Sequence, residues 1–292
     1  MLNICPDCNE EFSSTAKFCP SCGYDNDAVS INYKINDIML HFNGKYSPGY
    51  HYIPVEEKKL PIILLCHGKV KEGKDSKLIL SIADYLAING FVVFTFDNLC
   101  FNKAWKPNEG EIHSPEETDM RWATFAAITY IRKCYNGKRI ILIGHSMGAA
   151  ISLSVGALSD YISEIIAISP ARTIEYVYDD DKLKSHHKFI MQNDVLNAKY
   201  DINVTRSTNF DIMIENYFPL LSKKDILFLC GDKESYLKNW IKYAYEAIGE
   251  KCKSIIIPNA GHFYGTYPED EKQEVFNNLA NSILMWINDK YV

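Results

Sequence analysis

The stretch Arg139-Ile140-Ile141-Leu142-Ile143-Gly144-His145-Ser146-Met147-Gly148 limits the architecture more than any other part of the chain. Its first half is a continuous apolar run, the pattern of a strand buried on both faces. Its second half is Gly-x-Ser-x-Gly, and an alanine-rich helical segment follows at once. A strand that turns directly into a helix must bend sharply at the serine, where neighbouring side chains would collide. Gly144 and Gly148 remove those side chains. The Ser146 hydroxyl then points away from the sheet, with a helix N-terminus behind it that favours negative charge. The alternative is a glycine-rich packing turn. The strand–turn–helix context favours the nucleophile.

The rest of the chain keeps the same rhythm. Ile35 to Phe42 and Tyr50 to Ile53 read as strands parted by the turn Asn43-Gly44, an antiparallel lead-in. Pro61 to Cys66 and Phe91 to Phe96 read as buried strands, as do Ile165 to Ile168, Asp225 to Cys230 and Ser254 to Ile257. Helical spacing falls between them, over Asp75 to Asn89, Pro115 to Tyr135, Met147 to Leu158, Tyr236 to Ile248 and Pro268 to about Asn288. This alternation predicts an α/β fold, a mostly parallel sheet with helices on both faces.

The segment around Ser146 resembles the nucleophile elbow of α/β-hydrolases, and the likeness extends over about residues 35–292. The resemblance implies a serine hydrolase. In that family a His-Gly pair follows the third strand, and Cys66-His67-Gly68-Lys69 occupies that place here. The resemblance therefore implies an oxyanion hole made by the backbone amides of Met147 and Lys69. Two preset donors matter because the oxyanion charge develops in the transition state, and losing one costs about 3–4 kcal/mol. His67 itself reads as structural, its ring bonded to loop backbone.

A serine hydroxyl needs a base within hydrogen-bond reach. Of eight histidines, His262 follows the last strand in Asn259-Ala260-Gly261-His262, where hydrolases of this kind place theirs. His145 should point into the support of the elbow. The acid should follow the strand ending at Cys230. The family pattern puts an aspartate three residues after the glycine; here Glu234 holds that position and Asp232 stands two residues earlier. Register favours Glu234, with Asp232 as the alternative and Asp97 third. The order Ser146, acid, His262 is the order expected of this fold. The chemistry expected is cleavage of an ester, thioester or amide of a small-molecule acyl substrate through an acyl-enzyme. It needs no cofactor. Residues 171–222 are polar and tyrosine-rich and read as a cap insertion, with Tyr176, Tyr178, Tyr200 and Phe210 as candidate pocket residues.

Residues 1–23 form a separate island. Cys5-Pro6-Asp7-Cys8 and Cys19-Pro20-Ser21-Cys22 are two Cys-x-x-Cys knuckles, enough to close a tetrahedral four-thiolate site. The segment is similar to short zinc ribbons and predicts one structural zinc per chain, with a redox dithiol or an iron site as rivals. Phe12 and Phe18 are its only large aromatics between the outer ligands, so metal binding must supply the fold's stability. Residues 24–30 read as a linker to a hydrolase domain over 31–292. The ribbon points to a protein partner or to docking on the chain's own hydrolase domain. It also frames a rival class, a silent hydrolase scaffold that recruits partners.

The formal net charge of −6 disfavours general nucleic-acid binding. The first residues lack a basic start and an apolar core, so no secretory leader is expected. No apolar run approaches the roughly 18 residues of a membrane span. Nine cysteines, five of them scattered, fit a cytoplasmic protein better than a disulfide framework.

Overall fold

The computed structural model describes residues 2–5, 10–13, 33–42, 45–56, 61–68, 70, 72–97, 117–170, 214–267 and 272–291. Its N-terminal piece is a small antiparallel hairpin of β1 (Leu2–Ile4) and β2 (Glu11–Ser13), in which Leu2 faces Ser13 and Ile4 faces Glu11. The amide of Cys5 donates to Glu10 O at 2.9 Å, and Cys5 is buried. Cys8, Cys19, Cys22 and the linker 24–30 lie outside the described residues.

The main body is an eight-stranded sheet. Its strands are β3 (Tyr33–Phe42), β4 (Lys45–Pro54), β5 (Ile62–Cys66), β6 (Val93–Phe96), β7 (Ile140–His145), β8 (Ile162–Ile168), β9 (Asp225–Gly231) and β10 (Cys252–Ile257). They run in the spatial order β10-β9-β8-β7-β5-β6-β4-β3. The hairpin β3–β4 is antiparallel and joins β6 antiparallel through Gly49 to Tyr52; every other pairing is parallel. The expected lead-in is present, with both strands longer than the apolar pattern alone indicates.

Alternation along each strand divides the core into two halves. Ile62, Leu64 and Cys66 of β5 face one cluster, and Ile63 and Leu65 face the other. Helices α2 (Glu117–Cys134), α3 (Met147–Leu158) and α4 (Ser235–Ile248) cover the first half. Helices α1 (Lys77–Ile88) and α5 (Gln273–Tyr291) cover the second. α1 ends where Gly90 takes a φ of 91°, a conformation open to glycine.

Strand order reverses at β5. The chain passes from β5 through α1 to β6 on one side, then through α2 to β7 on the other. In such sheets the crevice beyond the carboxyl ends of the strands at the reversal is where ligands bind. The loops that follow β5 and β7 open there.

Beyond the lead-in, two element starts differ from expectation by three residues or more. β8 begins at Ile162, three residues before the apolar run, because Glu164 interrupts the pattern. Its carboxylate is buried but satisfied by Tyr291 Oη at 2.6 Å, by Arg139 at 3.3 Å and by the Ser163 hydroxyl. The closing helix begins at Gln273, not Pro268. Lys272 precedes it, donating its amide to Gly265 O at 3.0 Å and accepting from Val275 N at 3.0 Å. Of the expected cap, residues 171–213 with Tyr176, Tyr178, Tyr200 and Phe210 lie outside the described residues. The segment's return does not stand apart: Ile214, Phe218 and Leu221 are buried in the core beside α3. Among the described residues no helix is long and apolar enough to cross a membrane.

Leu142 lies in the middle of β7 with no exposed surface, whereas Ile35 on the outermost strand is half exposed. Leu142→Ala is expected to lower unfolding free energy by about 2–5 kcal/mol. Ile35→Ala is expected to change it by less than about 0.5 kcal/mol. Urea denaturation of both variants checks this, and equal losses would contradict the layering.

Candidate active site

β7 delivers Ser146 to the carboxyl edge, and the turn is as tight as its glycines imply. Ser146 has φ 54° and ψ −118°, a backbone region costly for a residue with a side chain. A Cβ on Gly144 would stand 2.2 Å from Gly148 O. A Cβ on Gly148 would stand 2.2 Å from the carbonyl oxygen of Cys66 and 2.5 Å from that of His67. The start of α3 therefore rests on the end of β5. Gly68, in turn, lies against the Ser146 side chain: a Cβ there would be 3.0 Å from Ser146 Cβ. Bonds of the helical type begin with the amides of Ala149 and Ala150, both donating to Ser146 O. The Met147 amide precedes them at the first helical position, where a backbone N–H has no acceptor inside the helix. Lys69 lies outside the described residues, so of the second expected donor only its neighbour Gly68 is seen beside the serine.

β9 and β10 carry the other groups. The amide of Asp232 donates to Ile257 O at 3.0 Å and that of Lys233 to Ala260 O at 3.2 Å. These bonds stitch the turn after β9 to the loop that holds His262. Across the stitch, His262 Nδ1 and Glu234 Oε1 are 2.8 Å apart. Glu234 Oε2 accepts from the Ser169 hydroxyl at 2.5 Å and from Gly231 N–H at 2.9 Å. Burial alone would raise the Glu234 pKa. The bond to His262 and its charge, with the Ser169 and Gly231 donors, outweigh that and hold it below the usual carboxylate value. Asp232 stands in the same turn, but among the described residues its Oδ1 is buried without a hydrogen-bond partner. Glu234, not Asp232, meets the imidazole.

His145 was expected to support the elbow, and it does more. It is buried, and its Nε2–H donates to His262 O at 2.8 Å. The two rings lie 4.7 Å apart between centroids, which puts His262 beside the residue next to Ser146. Burial, reinforced by the neighbouring His262, lowers the His145 pKa to about 3, so the ring is a neutral donor.

The loop after β5 has its own polar frame. His67 is buried with its ring Nδ1 2.7 Å from Gly68 O, the structural role expected of it. Burial pushes its pKa down to about 4. Asp97, the third-ranked acid, belongs to this frame. Its Oδ1 accepts from Lys74 N–H at 2.7 Å and lies 3.8 Å from His67 Nε2. Gly73, at φ 60°, leaves the room: a Cβ there would be 2.2 Å from Asp97 Oδ1. Asp97 is thus a loop organiser facing His67, as an aspartate at a strand end commonly is. His51 bonds Tyr135 Oη at 2.9 Å, away from the elbow's residues in chain and partner. His113, His186 and His187 lie outside the described residues. Ser169 and Tyr264 have no motif and escaped the sequence reading. Only their places, after β8 and two residues beyond His262, point to them.

A family model described as "Serine aminopeptidase, S33" matches residues 57–216. Among curated proteins, esterase EstD of Thermotoga maritima is 23% identical over 138 residues, 46% of this chain and 32% of that protein. The chain thus spans about a third of the length of that relative. Among solved structures, Est1E from Butyrivibrio proteoclasticus superposes with a TM-score of 0.62 at 15% identity, over 87% of this chain and 99% of the other. A dienelactone hydrolase from Anabaena variabilis gives 0.63 at 13% identity, over 88% and 98%. These two likenesses show a shared fold.

The buried neutral histidines make stability depend on pH. The folded pKa values of His145 and His67, about 3 and about 4, lie below the ordinary 6.5. Below pH 6.5 the unfolded chain takes up protons that the folded chain refuses. Unfolding free energy is expected to be full above about pH 6.5 and to fall as pH drops toward 4. Urea denaturation at half-unit steps checks this, and a flat profile between pH 6.5 and 5 would contradict neutral burial.

Proposed function

The chain belongs to that serine aminopeptidase family of hydrolases, and from this premise we propose that it is a carboxylesterase-like enzyme with Ser146 as nucleophile, His262 as base and Glu234 as acid. The observation that carries the reading is the 2.8 Å contact of His262 Nδ1 with an ionised Glu234, held against the elbow by His145. Because Nδ1 is engaged by the carboxylate, Nε2 is the nitrogen left for the serine proton. The names of the relatives, esterases and a dienelactone hydrolase, support an ester ahead of an amide.

In this mechanism His262 takes the proton of Ser146 Oγ as the oxygen attacks the ester carbonyl. The amides of Met147 and Lys69 hold the oxyanion, and the helix start behind Ser146 adds its partial positive charge. Collapse of the tetrahedral intermediate breaks the bond to the alcohol, which leaves with the proton from His262. Water then enters, gives its proton to His262, attacks the acyl-enzyme and releases the acid. Glu234 keeps its charge throughout and steadies the imidazolium. Each step uses side chains and backbone donors of this chain.

The N-terminal island belongs to the same reading as a structural zinc ribbon with Cys5, Cys8, Cys19 and Cys22 as ligands. The buried Cys5 at the turn of the β1–β2 hairpin fits a thiolate knuckle. Four protein ligands leave the ion no open position, so its contribution is to hold the island together and offer a surface to a protein partner. A cytoplasmic location completes the reading and accords with Cys66, Cys134, Cys230 and Cys252 standing outside any disulfide.

A fluorophosphonate probe is expected to label the wild type at Ser146. Ser146→Ala should abolish labelling, and His262→Ala should weaken it greatly. Glu234→Gln is expected to lower kcat on a p-nitrophenyl ester by about 10⁴-fold, the scale seen when a triad acid is neutralised. Asp232→Asn should stay near wild type. A folded wild type that takes no label defeats the enzyme and favours the silent scaffold. Activity lost only in Asp232→Asn would mean that the acid is wrong. For the ribbon, metal analysis is expected to find one zinc per chain. Equal zinc in the Cys5→Ser, Cys8→Ser double variant would remove the claim.

A further inference from the structure

Among the described residues, four non-glycine positions have a left-handed backbone: Ser146, Ser169, Asn259 and Tyr264. Ser146 is the elbow, and Asn259 lies in the loop that carries His262. The mechanism above leaves Ser169 and Tyr264 unused. Both are buried, at φ 43° and 52°. Strain of this kind persists only where the surroundings over-determine it, and it gathers at functional sites.

Their hydroxyls form a chain that ends on the acid. Ser169 Oγ is 2.5 Å from Glu234 Oε2 and 2.6 Å from Tyr264 Oη. An ionised carboxylate can only accept, so Ser169 donates to it, and the Ser169 oxygen is left to accept the phenol proton. Tyr264 Oη has a second acceptor in Leu229 O, but at 3.4 Å. Burial pushes the Tyr264 phenol well above its ordinary pKa, so it keeps its proton and stays a donor. Ser169 is itself fixed by its own amide, which donates to Leu229 O at 2.7 Å. With Gly231 N–H also on Oε2, that oxygen is saturated and Oε1 remains for the imidazole. Among the described residues, the ionisable groups facing this carboxylate are His262, His145, Tyr264 and Cys230.

We propose that Ser169 and Tyr264 are positioning residues, a two-hydroxyl relay behind Glu234 that fixes which carboxylate oxygen faces His262. The terminal torsion of a glutamate is broad and settles on no single angle by itself. Released from the relay, the carboxylate turns and the imidazole loses its aim. The proposal rests on the triad reading above.

The test is steady-state kinetics on a p-nitrophenyl ester with Ser169→Gly, Tyr264→Phe and the double variant, alongside thermal unfolding. Glycine suits the backbone at position 169, so relief of the strained torsion offsets part of the lost hydrogen bonding and Ser169→Gly should still fold. Its kcat should nevertheless fall about tenfold or more, as befits a lost bond to a charged group. KM should stay within about twofold, since only a transition-state interaction is removed. Tyr264→Phe should lose less. The double variant should be no slower than Ser169→Gly, because the phenol acts only through Ser169. Wild-type kcat in Ser169→Gly, or losses that multiply in the double variant, would overturn the relay alone. A wild type inert toward both ester and fluorophosphonate would overturn the triad, and the relay with it.

Discussion

The start of α3 and the end of β5 touch backbone to backbone, with Gly148 against the carbonyls of Cys66 and His67. The rest of the site depends on this contact. It sets how far Ser146 stands from Gly68, and so, in the proposed mechanism, whether an amide after β5 can share an oxyanion with an amide of α3. It also explains the unfavourable torsions of Ser146. With a Cβ at position 148 the helix would have to retreat. The serine would then relax, and in the proposed mechanism the two oxyanion donors would part. The apolar strands β5 and β7 hold the contact shut from below, since neither has a side chain exposed. Core packing and chemistry are here one constraint.

Around that contact the protein separates charge sharply. Three imidazoles lie within a few residues of the elbow and the loop after β5. Two of them, His145 and His67, are buried and neutral and serve as hydrogen-bonding props. His262 meets its carboxylate at 2.8 Å, whereas Asp97 stands 3.8 Å from His67. Glu234 is itself largely shielded from solvent yet stays ionised because donors crowd it. In the proposed mechanism, such a charge, with so many donors, stabilises a cation on the imidazole without being neutralised itself.

Much of this was legible in the sequence for identifiable reasons. The elbow has a motif because its sterics admit few residues. The strands show as apolar runs because parallel strands are covered on both faces. His262 could be placed because it follows the last strand, and Glu234 because of its distance from Gly231. The choice between Glu234 and Asp232 needed three dimensions, for two residues along a turn point in different directions. Ser169, Tyr264 and the carbonyl of His262 held by His145 left no trace, since each works through a contact between distant strands. The start of β8 was misjudged because Glu164 looks like a surface residue until Arg139 and Tyr291 are seen around it. The closing helix starts at Gln273, later than the expected Pro268, for the apolar period of the helix itself first shows at Val275 and Phe276.

The arrangement of α1 and α5 bears on how such a chain is made. These two helices cover the same half of the core, and Tyr85 joins them by a 2.6 Å bond to Asn281 and a ring contact with Phe276. They are separated by nearly two hundred positions, since α1 emerges early from the ribosome and α5 late. Until translation reaches Gln273, the greasy flank of α1 and of the central strands has no lid of its own. Nascent chains of this design therefore pass through a stage of exposed apolar surface, the kind that promotes aggregation. A premature stop anywhere before α5 would leave a sticky polypeptide for proteolysis to clear.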